Sequence, residues 1–337
     1  MKRFLVIPAF CLLAILCCAT ARAQTELIVY SNSEPEMLRL YTEEFRKLHP
    51  DINLKWVRDS AGPVLARLMA EKNSPRADVI FGLSLAATLT LGPQELLDPY
   101  TPAEHDALIP DMRDNSEHPT WIPMNAWGAA LCVNQPELER LKLPQPESWA
   151  DLTNPVYAGH IVMPSPVSSS TGYFIITTWL DTMGPEKAWD YMEKLDANLK
   201  MYIHSGCKPC QMAAQGEAAI GISSGSCALP MLKRRAPLKV MVPSEGTGWD
   251  MEVAALVKKN RPSDDPVLKA SQKLLDFAAS KTVGRLAAEN GYIPARADCL
   301  TEETAAQQAL FLPINIELAV TERESILSQW RQRFEQR

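Results

Sequence analysis

Four hydroxyl-bearing residues stand in a row, directly before a glycine and a strongly apolar segment: Ser168, Ser169, Ser170 and Thr171. Hydroxyls at the start of a helix add hydrogen-bond donors to unpaired backbone N–H groups and the positive end of the helix dipole. Such a set suits an oxyanion such as phosphate, phosphonate or carboxylate. Gly172 would let the ligand approach the backbone closely. The competing interpretation is one ordinary helix cap among loop residues.

Small polar residues also follow other predicted strands. They are Ser31 and Ser33 after ELIVY, Ser84 after ADVIFG, Ser205 after KMYIH and Ser224 after AAIGIS. In open α/β sheets, ligands bind where the loops leave the carboxyl ends of the strands. These serines therefore favour an anion held between two parts of the chain.

The order of strands and helices predicts a scaffold that brings these strand ends together. ELIVY, INLKWV and ADVIFG alternate with two amphipathic helices, and a second alternating series begins at HIVMP. Such alternation predicts parallel sheets covered by helices. We predict an α/β fold with two lobes, each a mainly parallel sheet flanked by helices. Lobe 1 takes residues 24–125 and 251–337 and lobe 2 takes residues 126–250, with a ligand cleft between them.

The N-terminus has the pattern of a secretory signal peptide. A basic start and the apolar run Phe4–Ala19 precede small residues at Ala21 and Ala23. We predict cleavage after Ala23, a mature chain that begins at Gln24, and export to the periplasm. The formal net charge of the whole chain is −6 and no basic cluster interrupts it. Nucleic acid is therefore excluded as a partner.

Five cysteines follow the predicted signal peptide: Cys132, Cys207, Cys210, Cys227 and Cys299. In an oxidising compartment this number predicts one or two disulfides and at least one thiol left over. Cys207 and Cys210 have the spacing of a thioredoxin-type redox motif, CKPC, but they stand deep in the second lobe. A structural role is favoured, with Cys132 or Cys227 as partners, and the pairing stays open.

Catalytic and metal-binding interpretations find little support in the residues. The segment GISSG matches a hydrolase nucleophile elbow with Ser223 as nucleophile, but every histidine precedes it, and that fold requires a histidine after the serine. No histidines and carboxylates cluster at metal-ligand spacing. We expect no catalytic residue, no metal and no cofactor, and an exported hydrolase is the alternative from another class.

Several segments carry a resemblance to a known family: KWVRDSAGPVLARLMAEKNSPRADVIFGLSLAAT, GHIVMPSPVSSSTG, HSGCKPCQMAAQGEAAIGIS and GWDMEVAALVKK. The chain resembles periplasmic solute-binding proteins of ABC transporters, in the group that binds ferric ion, thiamine, sugar phosphates and phosphonates. It is most similar to 2-aminoethylphosphonate-binding proteins. The resemblance implies a type II periplasmic binding protein fold, a monomer, a small anionic or zwitterionic solute and an inner-membrane permease as partner.

The resemblance also implies roles for individual residues. The phosphonate would be held by the equivalents of Ser84, Ser169, Ser170 and Thr171. A ligand ammonium needs a carboxylate, because a buried charge without a partner is strongly disfavoured.

The candidates for that carboxylate are Glu34, Asp250 and Glu252, with Trp249 beside the last two at the predicted crossing. The competing interpretation for Glu34 is first-turn helix complementarity. For the other two acids it is a solvated hinge or a structural ion pair. Where the relatives carry an aromatic residue and an arginine, this chain has SGSCAL, from Ser224 to Leu229. A sugar phosphate or another phosphonate therefore stays an alternative, and ferric ion a lesser one, since no Tyr-Tyr pair occurs.

Overall fold

A computed structural model describes residues 24–335, and the predicted signal peptide lies outside them. The strands in this range are β1 (Thr25–Ser31), β2 (Ile52–Arg58), β3 (Val79–Ser84), β4 (Leu97–Asp98), β5 (Ile122–Asn134), β6 (Ile161–Pro164), β7 (Leu199–Ile203), β8 (Ile220–Ser224), β9 (Leu238–Met241), β10 (Trp249–Val257) and β11 (Ile293–Pro294).

Helices follow most of these strands and cover the sheets. They are α1 (Pro35–Leu48), α2 (Ala61–Ala70), α3 (Leu85–Leu89), α4 (Gln135–Leu141), α5 (Ser170–Met183), α6 (Pro185–Asp196), α7 (Lys208–Ala214), α8 (Leu229–Lys233), α9 (Pro266–Ala278), α10 (Lys281–Glu289), α11 (Glu302–Gln308), α12 (Ile316–Thr321) and α13 (Arg323–Trp330). In this described part of the chain, no helix is both long and apolar enough to cross a membrane.

The strands are hydrogen-bonded in the order β2-β1-β3-β10-β5-β8-β6-β7. β1 runs parallel to β2 and β3, and β6 runs parallel to β7 and β8. The strands between these groups, β5 and β10, are antiparallel to their neighbours. The expected α/β architecture is confirmed. The sheets contain both parallel and antiparallel strands. The antiparallel ones are β5, through which the chain leaves the first group of parallel strands, and β10, through which it returns.

Strand β5 belongs to both sheets. Residues from Ile122 to Gly128 pair with β10, whereas residues from Ala129 to Val133 pair with β8. We call the part built on β1–β4, β10 and β11 the first half, and the part built on β6–β9 the second half. The predicted crossings near residues 125 and 250 lie in β5 and at the start of β10. The lobe boundaries stay a prediction.

The end of the chain contacts the second half, which the sequence did not indicate. The Tyr173 hydroxyl in α5 donates a 2.7 Å hydrogen bond to the carbonyl oxygen of Ala319 in α12. In α13, the ring of Trp330 packs edge-on against Tyr202. Burial of this large indole side chain favours the return of the chain to the second half.

Two disulfides lie close together in the second half. Cys132 in β5 bonds Cys210 in α7, and Cys207 before α7 bonds Cys227 in the turn after β8. Cys299 is a free, buried thiol. The prediction that Cys207 and Cys210 pair with Cys132 or Cys227 is confirmed. The second bond holds the loop before α7 against the end of β8.

Candidate functional site

A cavity of about 50 Å³ lies between the two halves, which is more than a single water molecule needs. The second half lines it mainly with hydroxyls and the second disulfide: Ser169, Ser170, Thr171, Ser205, Gly206, Cys207, Ser224, Ser226 and Cys227. The first half and β5 supply all the charged side chains of the lining, two aromatic rings and three smaller residues: Asn32, Glu34, Arg58, Ser60, Ala61, Trp127, Glu252 and Tyr292.

The N-terminus of α5 forms the hydroxyl-rich part of the wall. Ser169 is the N-cap residue, and its side chain accepts a hydrogen bond from the backbone N–H of Gly172. Ser170 and Thr171 occupy the first turn, where helix N–H groups lack intrahelical partners. A 14-residue helix with two hydroxyls in its first turn offers donors and a positive dipole end to an anion.

The loop at Gly206 packs closely against these hydroxyls. A Cβ atom at Gly206 would lie 2.4 Å from Thr171 Oγ1 and 3.0 Å from Ser169 Oγ. The nearby Ser223 is fully buried, and its hydroxyl donates a 2.7 Å hydrogen bond to the Gly206 carbonyl oxygen. Ser223 therefore positions the loop that completes the cavity, and its hydroxyl is already used.

Glu252 in β10 brings a buried carboxyl group to the first-half wall. Its Oε2 accepts a 3.0 Å hydrogen bond from Asn125 Nδ2. Burial raises the pKa of Glu252 to about 7, against the lowering effect of hydrogen bonds from Asn125 and Ser33. The nearby carboxylates of Glu34 and Asp250 raise this pKa further. The group can gain or lose a proton near neutral pH.

Glu34 and Arg58 form an ion pair at the cavity wall. Arg58 Nη2 lies 3.3 Å from Glu34 Oε1, and each side chain is 32% exposed. Arg58 Nε also donates a hydrogen bond to the carbonyl oxygen of Ser33. Glu34 is the N-cap residue of α1, but its side chain accepts no capping hydrogen bond. Burial raises the pKa of Glu34, and Arg58 opposes that rise.

Three predicted serines of the first half do not line the cavity, because their hydroxyls serve the local backbone. Ser31 Oγ accepts a hydrogen bond from the Ser33 N–H, and Ser33 Oγ donates one to the carbonyl oxygen of Gly82. Ser84 caps α3 by accepting from the Ala87 N–H. All three are buried. Ser33 still reaches the carboxyl group of Glu252.

Three other predicted residues also lie away from this cavity. Ser168 Oγ donates a 2.9 Å hydrogen bond to the carbonyl oxygen of His204. Trp249 stacks on Phe311. Asp250 is buried and accepts hydrogen bonds from the N–H groups of Leu85 and Met251. Trp249 and Asp250 line a separate, smaller cavity instead.

The structure adds residues that the sequence analysis did not select. Arg58 is the last residue of β2 and Ser60 lies two residues after it, at the same kind of strand end that pointed to Ser31 and Ser84. Asn32 lies in the loop between β1 and α1, where its Oδ1 accepts a hydrogen bond from the Ser84 N–H. Other cavity residues, such as Tyr292, carry no local signal, because contacts distant along the chain bring them there.

The two halves contact each other beside the cavity. The Gly62 N–H donates a 2.9 Å hydrogen bond to the carbonyl oxygen of Ser168, and Ser60 Oγ donates one to that of His204. His204 Nε2 also lies 3.2 Å from Asp59 Oδ1. The cleft is therefore closed on this side. Across residues 24–335, no group of three or more histidines, cysteines or carboxylates could hold a metal ion.

Comparisons with known proteins point to one class. Residues 77–320 match the family described as bacterial extracellular solute-binding protein. An uncharacterized protein of Haemophilus influenzae is 28% identical, over 93% of this chain and 92% of its own length. A probable ABC transporter periplasmic-binding protein, y4fP of Sinorhizobium fredii, is 25% identical, over 89% of this chain and 83% of its own.

A solved structure is similar over nearly the whole chain. It is the periplasmic binding protein AfuA from Actinobacillus pleuropneumoniae with exogenous fructose-6-phosphate bound, at 26% identity and a TM-score of 0.85. The match covers 92% of this chain and 99% of that one. The expected two-lobed type II periplasmic binding protein fold is confirmed by this similarity.

Proposed function

We propose that this chain, which belongs to the bacterial extracellular solute-binding protein family, binds an aminoalkylphosphonate in its cavity, most simply 2-aminoethylphosphonate. It is the periplasmic solute-binding component of an ABC importer rather than an enzyme. Proteins of this kind deliver a small solute to an inner-membrane permease. The identity of that solute is the proposal.

One observation carries the proposal: hydroxyls of one half and carboxyl groups of the other line the same cavity. Ser169, Ser170 and Thr171 offer hydrogen-bond donors at the N-terminus of α5, whereas Glu34 and Glu252 come from the first half. A phosphonate suits the donors. An ammonium suits the carboxyl groups, since a buried cation requires a counter-charge.

A ligand with both charges contacts both halves at once. Its affinity is then greater for the closed cleft than for an open one, and binding shifts the population toward the closed state. Hinge closure of this type is the usual motion of periplasmic binding proteins. It presents a closed, loaded protein to the permease.

A sugar phosphate is the second candidate, and a neighbouring cavity favours it. This cavity of about 710 Å³ shares five residues with the first one, among them Glu34 and Tyr292, and adds the amides of Gln211 and Gln215. Its volume is within the range of ligand pockets, and amides can hydrogen-bond sugar hydroxyls. AfuA, which carries fructose-6-phosphate, adds support by its similarity to this chain.

Calorimetric titration of the mature protein, freed of bound solute by unfolding and refolding, tests the proposal. We expect tight one-to-one binding of 2-aminoethylphosphonate and weaker binding of phosphate, a hexose phosphate and ferric citrate. Ser170→Ala should weaken binding, whereas Ser168→Ala should not, because Ser168 does not line the cavity. Binding of the hexose phosphate alone would transfer the function to the second candidate.

Export is a separate proposal. We expect mature protein from the periplasm to begin at Gln24 and to be monomeric. N-terminal sequencing and sedimentation check both expectations.

A further inference from the structure

We propose that the ion pair between Glu34 and Arg58 selects zwitterionic ligands by exchanging partners with them. Arg58 would leave Glu34 for the phosphonate, and Glu34 would then be free to bind the ammonium. This inference rests on the proposed function and adds to it the residue that confers specificity. Ligands that carry only an anionic or only a cationic group are then poor substitutes.

The charges around the cavity support this role. Of the described residues that line it, Arg58 is the only cation, and Glu34 and Glu252 are the only acids. The second-half wall contains no charged side chain. An incoming anion therefore meets neutral donors on one side and a single guanidinium on the other. That guanidinium already contacts an acid.

The contact is suited to exchange. The distance of 3.3 Å between Arg58 Nη2 and Glu34 Oε1 is longer than the 2.7–2.9 Å of a strong charge-assisted hydrogen bond. Both side chains are partly exposed, so neither is locked by packing. The hydrogen bond from Arg58 Nε to the Ser33 carbonyl oxygen can hold the arginine in place while its outer nitrogens change partner.

The protein discriminates between ligands because an incomplete ligand leaves the charge of Glu34 or of Arg58 unpaired. A phosphonate without an amine draws Arg58 away and leaves Glu34 without a cation. An amine without a phosphonate leaves Arg58 without an anion. Removing one partner of this partly buried charge pair costs free energy, because the other charge loses its compensation. A zwitterion replaces both partners and avoids both penalties.

Three ligands and three variants test this inference: 2-aminoethylphosphonate, ethylphosphonate and ethanolamine, with Glu34→Gln, Arg58→Gln and the double variant. For Glu34→Gln we expect about a tenfold loss of affinity for the aminophosphonate and a gain for ethylphosphonate, since Arg58 is then free. The double variant should lose that gain. Asp190→Asn is the control, because Asp190 forms an exposed ion pair with Lys194 in α6. It should leave the affinities for 2-aminoethylphosphonate and for ethylphosphonate unchanged.

The outcomes separate the inference from the function on which it rests. If Glu34→Gln weakens both phosphonates by the same factor, the exchange is overturned while the proposed function stands. If Arg58→Gln leaves the preference for the zwitterion unchanged, the exchange is likewise overturned. A wild-type protein that binds none of the phosphonates overturns the proposed function and the inference together. Thermal unfolding of each variant checks that it is folded.

Discussion

The backbone N–H of Gly62 donates a hydrogen bond of 2.9 Å to the carbonyl oxygen of Ser168, so the start of α2 in the first half contacts the loop before α5 in the second. A Cβ atom at Gly62 would lie 2.4 Å from the carbonyl oxygen of Val167. Only glycine permits this approach, and the approach closes the cleft beside the cavity.

Gly62→Ala should weaken ligand binding by about tenfold, or about 1.4 kcal/mol, because its methyl group opposes closure. It should leave the unfolding temperature of the ligand-free protein unchanged or slightly higher, since alanine is favoured over glycine by up to about 1 kcal/mol in a helix. Calorimetric titration and thermal unfolding measure the two effects.

Gly92→Ala is the matched control, because nothing lies within 4 Å of the position of its Cβ atom. It should leave affinity unchanged. Equal affinity of Gly62→Ala and the wild type would show that this contact does not contribute to the ligand-bound state.

Gly206→Ala should reduce affinity for any phosphorus oxyanion by at least about tenfold. The added methyl group would occupy the space beside Thr171 Oγ1 and Ser169 Oγ, so those hydroxyls would have to move. Titration with 2-aminoethylphosphonate and with phosphate checks the loss.

Gly225→Ala is the control for this change. It lies in the same half, and a Cβ atom there would make only ordinary contacts, 3.5 Å from Ala130 Cβ and 3.8 Å from the carbonyl oxygen of Gly128. A Gly206→Ala protein that binds as tightly as the wild type would place the anion elsewhere in the cleft.

The stability of the ligand-free protein should fall as pH rises from about 4 to about 7. Burial raises the pKa values of Glu252 and Asp250 to about 7, from ordinary values of 4.5 and 3.8. Between those limits the folded state holds more protons than the unfolded state, so stability decreases with increasing pH. Their contribution is complete below about pH 4 and is lost above about pH 7.

Thermal unfolding from pH 5 to pH 8 tests this expectation. Glu252→Gln removes one of the two groups and should make the pH dependence shallower. Glu186→Gln, at an exposed position in the first turn of α6, is the control. A wild-type unfolding temperature that rises between pH 5 and pH 7, with no difference in Glu252→Gln, would contradict the assignment.

The two disulfides should differ in what their loss affects. Cys132–Cys210 joins residues 78 apart and Cys207–Cys227 joins residues 20 apart. Loop-closure entropy then gives about 4.5 and about 3 kcal/mol of stabilisation. Cys207 and Cys227 line the cavity, so replacing both with serine should also weaken ligand binding.

The pair Cys132→Ser/Cys210→Ser should lower the unfolding temperature more while affecting affinity less. Denaturation and titration of both double variants make the comparison. If loss of the Cys132–Cys210 bond weakens binding more than loss of the Cys207–Cys227 bond does, the Cys207–Cys227 bond does not support the binding site.

Much of the fold could be predicted from local patterns. The alternation of ELIVY, INLKWV and ADVIFG with amphipathic helices indicated parallel strands, and parallel β1, β2 and β3 are observed. The return of α12 and α13 to the second half could not be predicted, because the contacts of Trp330 depend on distant residues. The disulfide partners were narrowed to Cys132 and Cys227, but spacing could not pair them.

The sequence by itself determined the class of protein, the hydroxyl-rich start of α5 and the presence of acids suited to an ammonium. These features are local, since a helix start and a strand end are defined by neighbouring residues. Only the tertiary structure decided which polar groups face the cleft. Ser31, Ser84 and Asp250 are turned to the backbone, whereas Arg58 and Glu34 meet at the cavity wall. Each buried polar group must find a hydrogen-bond partner. The hydroxyls of Ser31 and Ser84 find theirs in the adjacent backbone. Asp250 and Glu34 have partners far along the chain, such as Arg58 for Glu34, so no local pattern could assign them.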